Sequence, residues 1–295
     1  MAIIKPVDES LISLTVLPGF AQGHPNIAVS MLRLDAIHPI ISGNKWYKLK
    51  HNLHEAKAAG KAALLSFGGA YSNHLIACAA AAHSMSWSSI GIVRGEQDEA
   101  NLNPVLAQCK AYGMQLHFVT RSEYAQRNTN EFQAYWQAFY PHAWLVPEGG
   151  ANAAGRLGAA SICQLIPSSF TDIVLSVGSG TTMAGIAQAA APQQRIWGFA
   201  PMKGGVYLMH DIKPLISAAQ YQQCQMIDRF HFGGFGKISP EVVLYMQDFA
   251  STYGFALDRV YTAKMMMGLQ ELIAEGVFPE ASQILCIHTG GLTGN

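Results

Sequence analysis

The chain has 295 residues, of which half are hydrophobic and only 13% are charged. Lysine plus arginine equals aspartate plus glutamate at 19 each, so no net field attracts nucleic acid or an anionic membrane. No apolar run has the length of a transmembrane helix, and the first ten residues lack the apolar segment of a secretion signal. We therefore expect a globular protein of one large or two medium domains that binds a small molecule.

The cysteines and histidines show no pattern that indicates a bound metal. The five cysteines are scattered without a CxxC pair, and the eleven histidines form no HExxH or paired-ligand motif. An odd, dispersed set of cysteines favours free thiols in a reducing cytosol over a disulfide framework. We expect a cytoplasmic protein without a metal site.

Short strands and helices alternate along the whole chain. Strands are predicted at 11–17, 27–34, 62–67, 89–93, 116–119, 143–146, 172–176, 196–200 and 284–288. Helices are predicted at 46–59, 73–83, 102–112, 131–139, from 183 onward, and at 207–219, 240–253 and 263–274. Repeated βα units of this length predict a parallel sheet with helices on both faces. The glycine-rich stretch 230–238 reads as an irregular loop over a pocket, or as a flexible connection.

Two lysines begin the first long helix. Lys45 and Lys48 are three residues apart, which places them on one helical face. Lysine ordinarily favours the C-terminal end of a helix, because the N-terminal end carries partial positive charge. Two lysines at the unfavourable end of a helix therefore suggest a functional role. Solvent-exposed lysines at a frayed helix end are the alternative.

Two glycine-led turns follow predicted strands and open helices, at 68–74 and 178–182. Glycine lets backbone N–H groups approach a ligand closely, and the helix N-terminus adds partial positive charge, so each turn is a candidate anion site. The turn at 178–182 lacks the Gly-Lys-Ser/Thr of a P-loop and the spacing of a dinucleotide site, which favours one phosphate monoester. The turn at 68–74 suits a substrate carboxylate; alternatively, Ser72 and Asn73 are simple helix caps.

Six motifs occur in the order found in one enzyme family. They are GNKWYKLK at 43–50, SFGGAYSNH at 66–74, VPEGGAN at 146–152, SVGSGTT at 176–182, VYTAK at 260–264 and HTGG at 288–291. The set resembles the pyridoxal-phosphate enzymes grouped as D-cysteine desulfhydrase and 1-aminocyclopropane-1-carboxylate deaminase. This resemblance spans nearly the whole chain.

The resemblance implies an α/β fold like that of the tryptophan synthase β subunit, which is fold type II of pyridoxal-phosphate enzymes. Such a fold has two domains with open, twisted, mostly parallel sheets, holds the cofactor between them and commonly forms a homodimer. The larger, cofactor-binding domain would comprise residues 1–48 and 157–295. The smaller domain would be the insertion 49–156.

The resemblance also implies roles for individual residues. Lys45 would form the Schiff base with pyridoxal 5'-phosphate and, once freed by substrate, remove the α-proton, with Lys48 as its positively charged neighbour. Asn73 would hold the phenolic oxygen of the cofactor, and Ser72 and Tyr261 would complete the proton transfers or hold the substrate. The cofactor phosphate would be bound by Gly178, Ser179, Gly180, Thr181 and Thr182.

The chain departs from the deaminases of this family in two respects. It reads YTAK and HTGG where they read YEGK and HLGG, so Thr262 and Thr289 would meet the pyridine nitrogen in place of a glutamate. It also carries Phe235 where relatives have a tyrosine in a GYG turn. Neutral hydroxyls leave the nitrogen mostly unprotonated and weaken the electron sink, which favours β-elimination over ring opening.

These features predict a pyridoxal-phosphate lyase that converts D-cysteine to pyruvate, ammonia and sulfide. Deamination of 1-aminocyclopropane-1-carboxylate is the alternative within the family. A catalytically silent protein that binds the cofactor or an amino acid is the alternative from another class.

Overall fold

The computed structural model describes residues 6–95 and 101–292, which form two β-sheets flanked by helices. The strands are β1 (Leu14–Val16), β2 (Ala28–Leu32), β3 (Ala63–Gly69), β4 (Ser88–Arg94), β5 (Met114–Val119), β6 (Trp144–Val146), β7 (Asp172–Ser176), β8 (Arg195–Phe199), β9 (Cys224–Ile227) and β10 (Gln283–Ile287). The α-helices are α1 (Asn44–Ala58), α2 (Asn73–Ser84), α3 (Pro104–Ala111), α4 (Arg121–Ala125), α5 (Asn130–Phe139), α6 (Ala153–Ser161), α7 (Thr181–Ala189), α8 (Leu208–Ile212), α9 (Ala218–Gln222), α10 (Pro240–Tyr253) and α11 (Thr262–Ala274). The predicted α/β class is confirmed.

The larger sheet has six strands in the order β1-β2-β10-β7-β8-β9. Only β1 runs antiparallel to its neighbour; the other pairs are parallel. Alternate residues of its central strands enter two different cores, one packed against α10 and α11 and one against α1 and α7. The strands are therefore apolar along their whole length, as expected of a parallel sheet covered on both faces.

The smaller sheet has four parallel strands in the order β5-β4-β3-β6. Its central strand β3 is buried from Ala63 to Gly68. Helix α2 packs beside it, and every residue from His74 to Ala82 is buried. Alanine supplies a narrow side chain with a high helix propensity, which explains how a helix enclosed on all sides forms there.

Helix α6 was not predicted from the sequence. Asn152 caps it by accepting a 2.8 Å hydrogen bond from the backbone N–H of Gly155. Its small residues allow a close approach to α1: a Cβ atom built on Gly158 would lie 1.7 Å from the carbonyl oxygen of Tyr47. Close helix contact, rather than an apolar stripe, makes this segment helical, so periodicity did not reveal it.

Three further segments differ from the predictions. The helix predicted at 207–219 is broken into α8, a 3-10 turn and α9, because Pro214 has no N–H to continue the helical hydrogen bonds. Strand β9, which closes the edge of the larger sheet beside β8, was not predicted. The strand predicted at 11–17 is confined to β1 and follows a 3-10 turn at Glu9–Leu11.

The short helix α4 was not predicted either, and the remaining elements agree with the predictions to within a few residues. Met265 and Met266 of α11 are fully buried in the core of the larger sheet, as expected for a methionine-rich core helix. All five cysteines are free thiols, as predicted. Across residues 6–95 and 101–292, the helices are too short or too polar to cross a membrane.

Candidate active site

Three neighbouring parallel strands of the larger sheet end at one edge. β2 leads into α1, β7 leads into the loop 178–182, and β10 between them ends at the turn 289–291. Open α/β sheets bind ligands outside the carboxyl ends of their parallel strands. This edge brings Lys45, Thr289 and the loop 178–182 into one candidate site.

Both lysines of the first helical turn are buried, with exposed fractions of 9% for Lys45 and 6% for Lys48. The alternative of solvent-exposed lysines at a frayed helix end is therefore wrong. The Lys45 amine donates a 2.8 Å hydrogen bond to the carbonyl oxygen of Thr289. This bond ties the start of α1 to the end of β10.

Burial moves the pKa of both amines toward neutrality. It lowers the pKa of Lys45 to about 8, while the carboxylate of Asp258 acts in the opposite direction. Burial, with the Lys45 ammonium adding to it, lowers the pKa of Lys48 to about 7. A neutral amine is the form that attacks an aldehyde. Both lysines can therefore supply the neutral form near neutral pH.

Asp258 is a site residue that the sequence interpretation missed. Its carboxylate is 2% exposed and accepts a 2.6 Å hydrogen bond from the backbone N–H of Tyr261. Burial raises its pKa to about 6, against the lowering influence of Lys45 and of backbone N–H groups at the start of α11. No local signal pointed to it, because Asp258 lies four residues before Thr262, the first residue of α11, and a capping side chain directly precedes its helix.

The loop 178–182 begins α7 without a capping side chain. Gly180 precedes the helix in the left-handed region at φ 77°, and a side chain there would meet Ile212, whose Cγ1 lies 3.1 Å from an added Cβ. The Ser179 and Thr181 hydroxyls lie 3.0 Å apart. The Asn44 amide, also missed, donates a 2.9 Å hydrogen bond to the Thr182 hydroxyl and joins this loop to α1.

Tyr261 lies between the loop 178–182 and the glycine-rich stretch 230–238. A Cβ atom built on Gly178 would lie 3.3 Å from the Tyr261 hydroxyl. On the other side, the Phe235 ring meets the Tyr261 ring edge-on at a centroid distance of 5.9 Å. Burial raises the pKa of the Tyr261 phenol, and the Asp258 carboxylate adds to that rise. The phenol therefore stays protonated at neutral pH and can donate a hydrogen bond.

The two threonines predicted near the pyridine nitrogen are both buried. The Thr262 hydroxyl accepts a 2.7 Å hydrogen bond from the Asp258 N–H and donates to the Asp258 carbonyl at 3.2 Å. Thr289 offers its carbonyl to Lys45. Thr262 thus fixes the loop before α11, and the Thr289 side chain stands at the end of the strand beside Lys45.

Ser72 and Asn73 begin α2 at the end of β3. The Ser72 hydroxyl accepts a 3.2 Å hydrogen bond from the backbone N–H of Leu75, so the capping interpretation of Ser72 is confirmed. A serine hydroxyl that accepts one hydrogen bond can still donate another. A Cβ atom built on Gly291 would lie 3.0 Å from the Asn73 amide nitrogen and 3.3 Å from an Asp258 oxygen. Asn73 and Asp258 therefore both lie beside Gly291 of the turn 289–291.

A buried polar group beside the lysines was also missed. The His74 Nε2 atom lies 2.9 Å from the Ser66 hydroxyl, which donates to the carbonyl oxygen of Val146. Burial and the charges of Lys48 and Lys45 lower the pKa of His74 to about 3. His74 is neutral in the working pH range and adds no positive charge next to the lysines.

A cleft of about 210 Å³ lies against the loop 178–182. Its lining comes from loops and helices and comprises Asn128, Gln133, Pro147, Ala151, Arg156, Ser179, Gly180, Thr181, Asp211, Ile212 and Leu215. Backbone N–H groups at a helix start, three hydroxyls and a glycine at positive φ suit a phosphate monoester. The nearby buried amines suit an aldehyde. The donor set at this edge therefore fits a ligand that carries both groups.

Comparison with known proteins agrees with that fit. The family model described as pyridoxal-phosphate dependent enzyme matches residues 17–290. The chain belongs to this family. Its structure has fold type II of the pyridoxal-phosphate enzymes.

The relatives of this pyridoxal-phosphate enzyme fall in the group indicated by the motifs. A Pyrococcus horikoshii protein named "Putative 1-aminocyclopropane-1-carboxylate deaminase" is 29% identical over 271 residues, which cover 86% of this chain and 81% of the relative. The Arabidopsis thaliana mitochondrial bifunctional D-cysteine desulfhydrase/1-aminocyclopropane-1-carboxylate deaminase is 26% identical, with coverages of 86% and 70%. A crystal structure of an ACC deaminase homologue superimposes with a TM-score of 0.81 at 26% identity, covering 98% of this chain and 93% of the other.

Proposed function

We propose that this pyridoxal-phosphate lyase acts on D-cysteine by β-elimination. D-Cysteine and water would give pyruvate, sulfide and ammonia: the α-proton and the sulfur leave adjacent carbons, and water releases the nitrogen as ammonia. Pyridoxal phosphate, when bound, supplies the electron sink at the α-carbon. The names of the relatives support this reaction class. The choice of D-cysteine among its substrates rests on the residues of the site.

In this proposal the chain binds and orients the cofactor and moves one proton. The loop 178–182 holds the phosphate, and Asn73 holds the phenolic oxygen. Lys45 carries the cofactor and takes the α-proton on its Nζ atom. Ser72 and Tyr261 each offer a hydroxyl hydrogen to the substrate or to the departing thiolate.

The observation that carries the choice of D-cysteine is the environment of Thr262. Where the deaminases carry a glutamate, this chain has a buried threonine whose hydroxyl is occupied by the backbone of Asp258. The Asp258 carboxylate accepts from the N–H of Tyr261 and acts on the Lys45 amine, and in this proposal it does not pair with the pyridine nitrogen. Opening a cyclopropane, which has no α-proton, needs a strong sink and hence a protonated pyridine nitrogen paired with a carboxylate. β-Elimination needs a weaker electron sink, because the thiolate departs from the adjacent carbon.

The decisive experiment assays both reactions on one preparation under identical conditions. We expect pyruvate and sulfide from D-cysteine, pyruvate from β-chloro-D-alanine, and far slower formation of 2-oxobutyrate from 1-aminocyclopropane-1-carboxylate. A higher kcat/KM for 2-oxobutyrate formation would reject the proposal in favour of the deaminase. Inactivity with every substrate would favour a silent binding protein.

Deaminase activity is the second candidate, because the names of two relatives and one structural neighbour include it. Phe235 disfavours it, since phenylalanine has no hydroxyl to assist ring opening. The proposal also includes a homodimer, a cytoplasmic location, a larger domain of residues 1–48 and 157–295 and a smaller domain of 49–156. The five free thiols support the reducing compartment.

A further inference from the structure

Lys264 is a buried lysine that has no role in the reaction proposed above. It lies on α11, three residues after Tyr261, and is 2% exposed. Its amine donates two hydrogen bonds of 2.9 Å, to the carbonyl oxygens of His231 and Gly234. Burying an ammonium group is costly unless hydrogen bonds replace its water. Both replacements come from the glycine-rich stretch 230–238.

This stretch packs against the core at Phe230, Phe232 and Ile238, and most residues between Phe232 and Ile238 are exposed. Phe230 stacks on Phe199 at a centroid distance of 6.2 Å, and Ile238 packs against the same core. Between them, Gly233 and residues 235–237 are exposed. Glycines at positive φ permit many backbone conformations, so the core contacts at the ends do not determine the path of the middle.

Lys264 binds this middle section at its two turns. The Gly234 N–H donates to the His231 carbonyl, and the Lys237 N–H donates to the Gly234 carbonyl, each at 3.1 Å. These are the two carbonyls that also accept from Lys264. One amine therefore fixes two consecutive turns relative to α11.

The residue after Gly234 is Phe235, whose ring contacts Tyr261. Phe235 is 53% exposed and lies over a tyrosine that borders the loop 178–182. Tyr261 directly precedes α11, and α11 carries the lysine whose hydrogen bonds hold the loop that bears Phe235.

We propose that Lys264 is a positioning residue that latches residues 231–237 over Tyr261, so that Phe235 limits the size of the amino acid that the site accepts. The latch follows from the contacts of Lys264 alone; the size limit rests on the proposed function. Loss of the latch would free the loop tip without touching the residues proposed to bind the cofactor.

The first test compares Lys264→Met with Lys237→Met, both loaded with pyridoxal phosphate. Methionine fills the buried space without donating hydrogen bonds, and Lys237 is an exposed lysine of the same loop. We expect amide hydrogen exchange in 233–237 to rise about tenfold or more in Lys264→Met and to stay unchanged in Lys237→Met. The cofactor absorbance should be retained in both. Unchanged loop exchange in a folded Lys264→Met protein would overturn the latch.

The second test measures substrate size. The kcat/KM ratio of S-methyl-D-cysteine to D-cysteine should rise by about tenfold in Lys264→Met and in Phe235→Ala, and not in Lys237→Met. An unchanged ratio with a mobile loop would overturn the size limit and leave the latch standing. Inactivity of the wild type on D-cysteine would instead count against the proposed function, and the exchange experiment would still decide on the latch.

A third measurement uses the wild-type enzyme, so it does not depend on whether a variant folds. Amine-reactive ester is added to the wild-type enzyme, and labelling is followed by mass spectrometry. Lys264 should react at least about tenfold more slowly than Lys237, because its amine reacts only when the loop opens. Equal labelling rates would contradict the latch.

Discussion

The loops 68–74 and 178–182 have the same local design and different helix starts. Each follows a buried parallel strand, contains glycine and hydroxyl residues, and opens a helix with a largely buried surface. In the first loop the Ser72 hydroxyl caps α2 through the N–H of Leu75. In the second, Gly180 occupies the capping position, and no described side chain caps α7.

The comparison shows that the second loop leaves helix N–H groups uncapped for a ligand, whereas the first uses a side chain to cap its own helix. The uncapped N–H groups at loop 178–182 support its proposed role as the phosphate site. Loop 68–74 uses part of its polar capacity for its own helix. Its contribution to ligand binding is therefore expected to come from side chains such as Asn73 rather than from uncapped backbone.

The largest expected effect comes from the lysine that both loops would serve. Lys45→Ala should abolish the visible absorbance of the bound cofactor and reduce turnover by roughly a thousandfold or more. Lys48→Ala should keep the absorbance. The ultraviolet-visible spectrum measures the bound cofactor, and pyruvate formation from D-cysteine measures turnover. If Lys48→Ala lost the band and Lys45→Ala kept it, the roles of the two lysines would be reversed.

The next test substitutes one glycine in each loop. Gly180→Val should weaken cofactor retention by about tenfold or more, because φ is 77° there and a side chain would meet Ile212. The matched control is Gly69→Ala, at a position with ordinary φ and a nearest contact of 3.5 Å from an added Cβ. Absorbance after dialysis measures retention. Full occupancy in Gly180→Val would place the phosphate elsewhere.

A pH experiment tests the buried charge beside these loops. In the folded, cofactor-free protein the pKa of Lys48 is about 7, below the ordinary value of 10.5. Below pH 7 the amine is protonated in both states and its burial penalises folding fully. Between pH 7 and 10.5 the unfolded chain binds more protons, so this penalty fades as the pH rises.

Lys48→Met should therefore stabilise the cofactor-free protein most near pH 6, and the gain should shrink toward pH 9. Denaturant midpoints of wild type and variant at several pH values measure it. The buried tyrosines and thiols titrate in both proteins, so the difference reports Lys48 together with the groups whose charge it affects, Lys45 and His74. A gain independent of pH would mean that Lys48 keeps an ordinary pKa.

The smallest expected effect distinguishes the capped start of α2 from the uncapped start of α7. Ser72→Ala should lower the free energy of unfolding by about 1 kcal/mol, the usual contribution of a serine cap. Ser179→Ala removes no cap and should change stability little while weakening cofactor retention. Denaturant unfolding of the cofactor-free proteins provides the comparison. Equal losses of stability in both variants would contradict the proposed difference between the loops.

The sequence by itself determined the α/β class, most strands and helices, and the placement of two lysines at a helix start. These are local properties: strand and helix periods, glycine turns and caps are each written within about ten residues. Where a local signal was weak, as in the small-residue helix α6 or the short edge strand β9, the interpretation missed the element. Packing against α1 and pairing with β8 decide those two segments.

Only the tertiary structure decided which groups share a buried environment. The Lys45 amine meets the carbonyl of a residue 244 positions away, and Asp258 acts on the same lysine from the start of α11. Burial lowers the pKa of both Lys45 and Lys48, and Lys264 reaches back to a loop thirty residues before it. Burial and charge act through space, so strand order and helix packing determine them, and no local pattern in the chain encodes those distances.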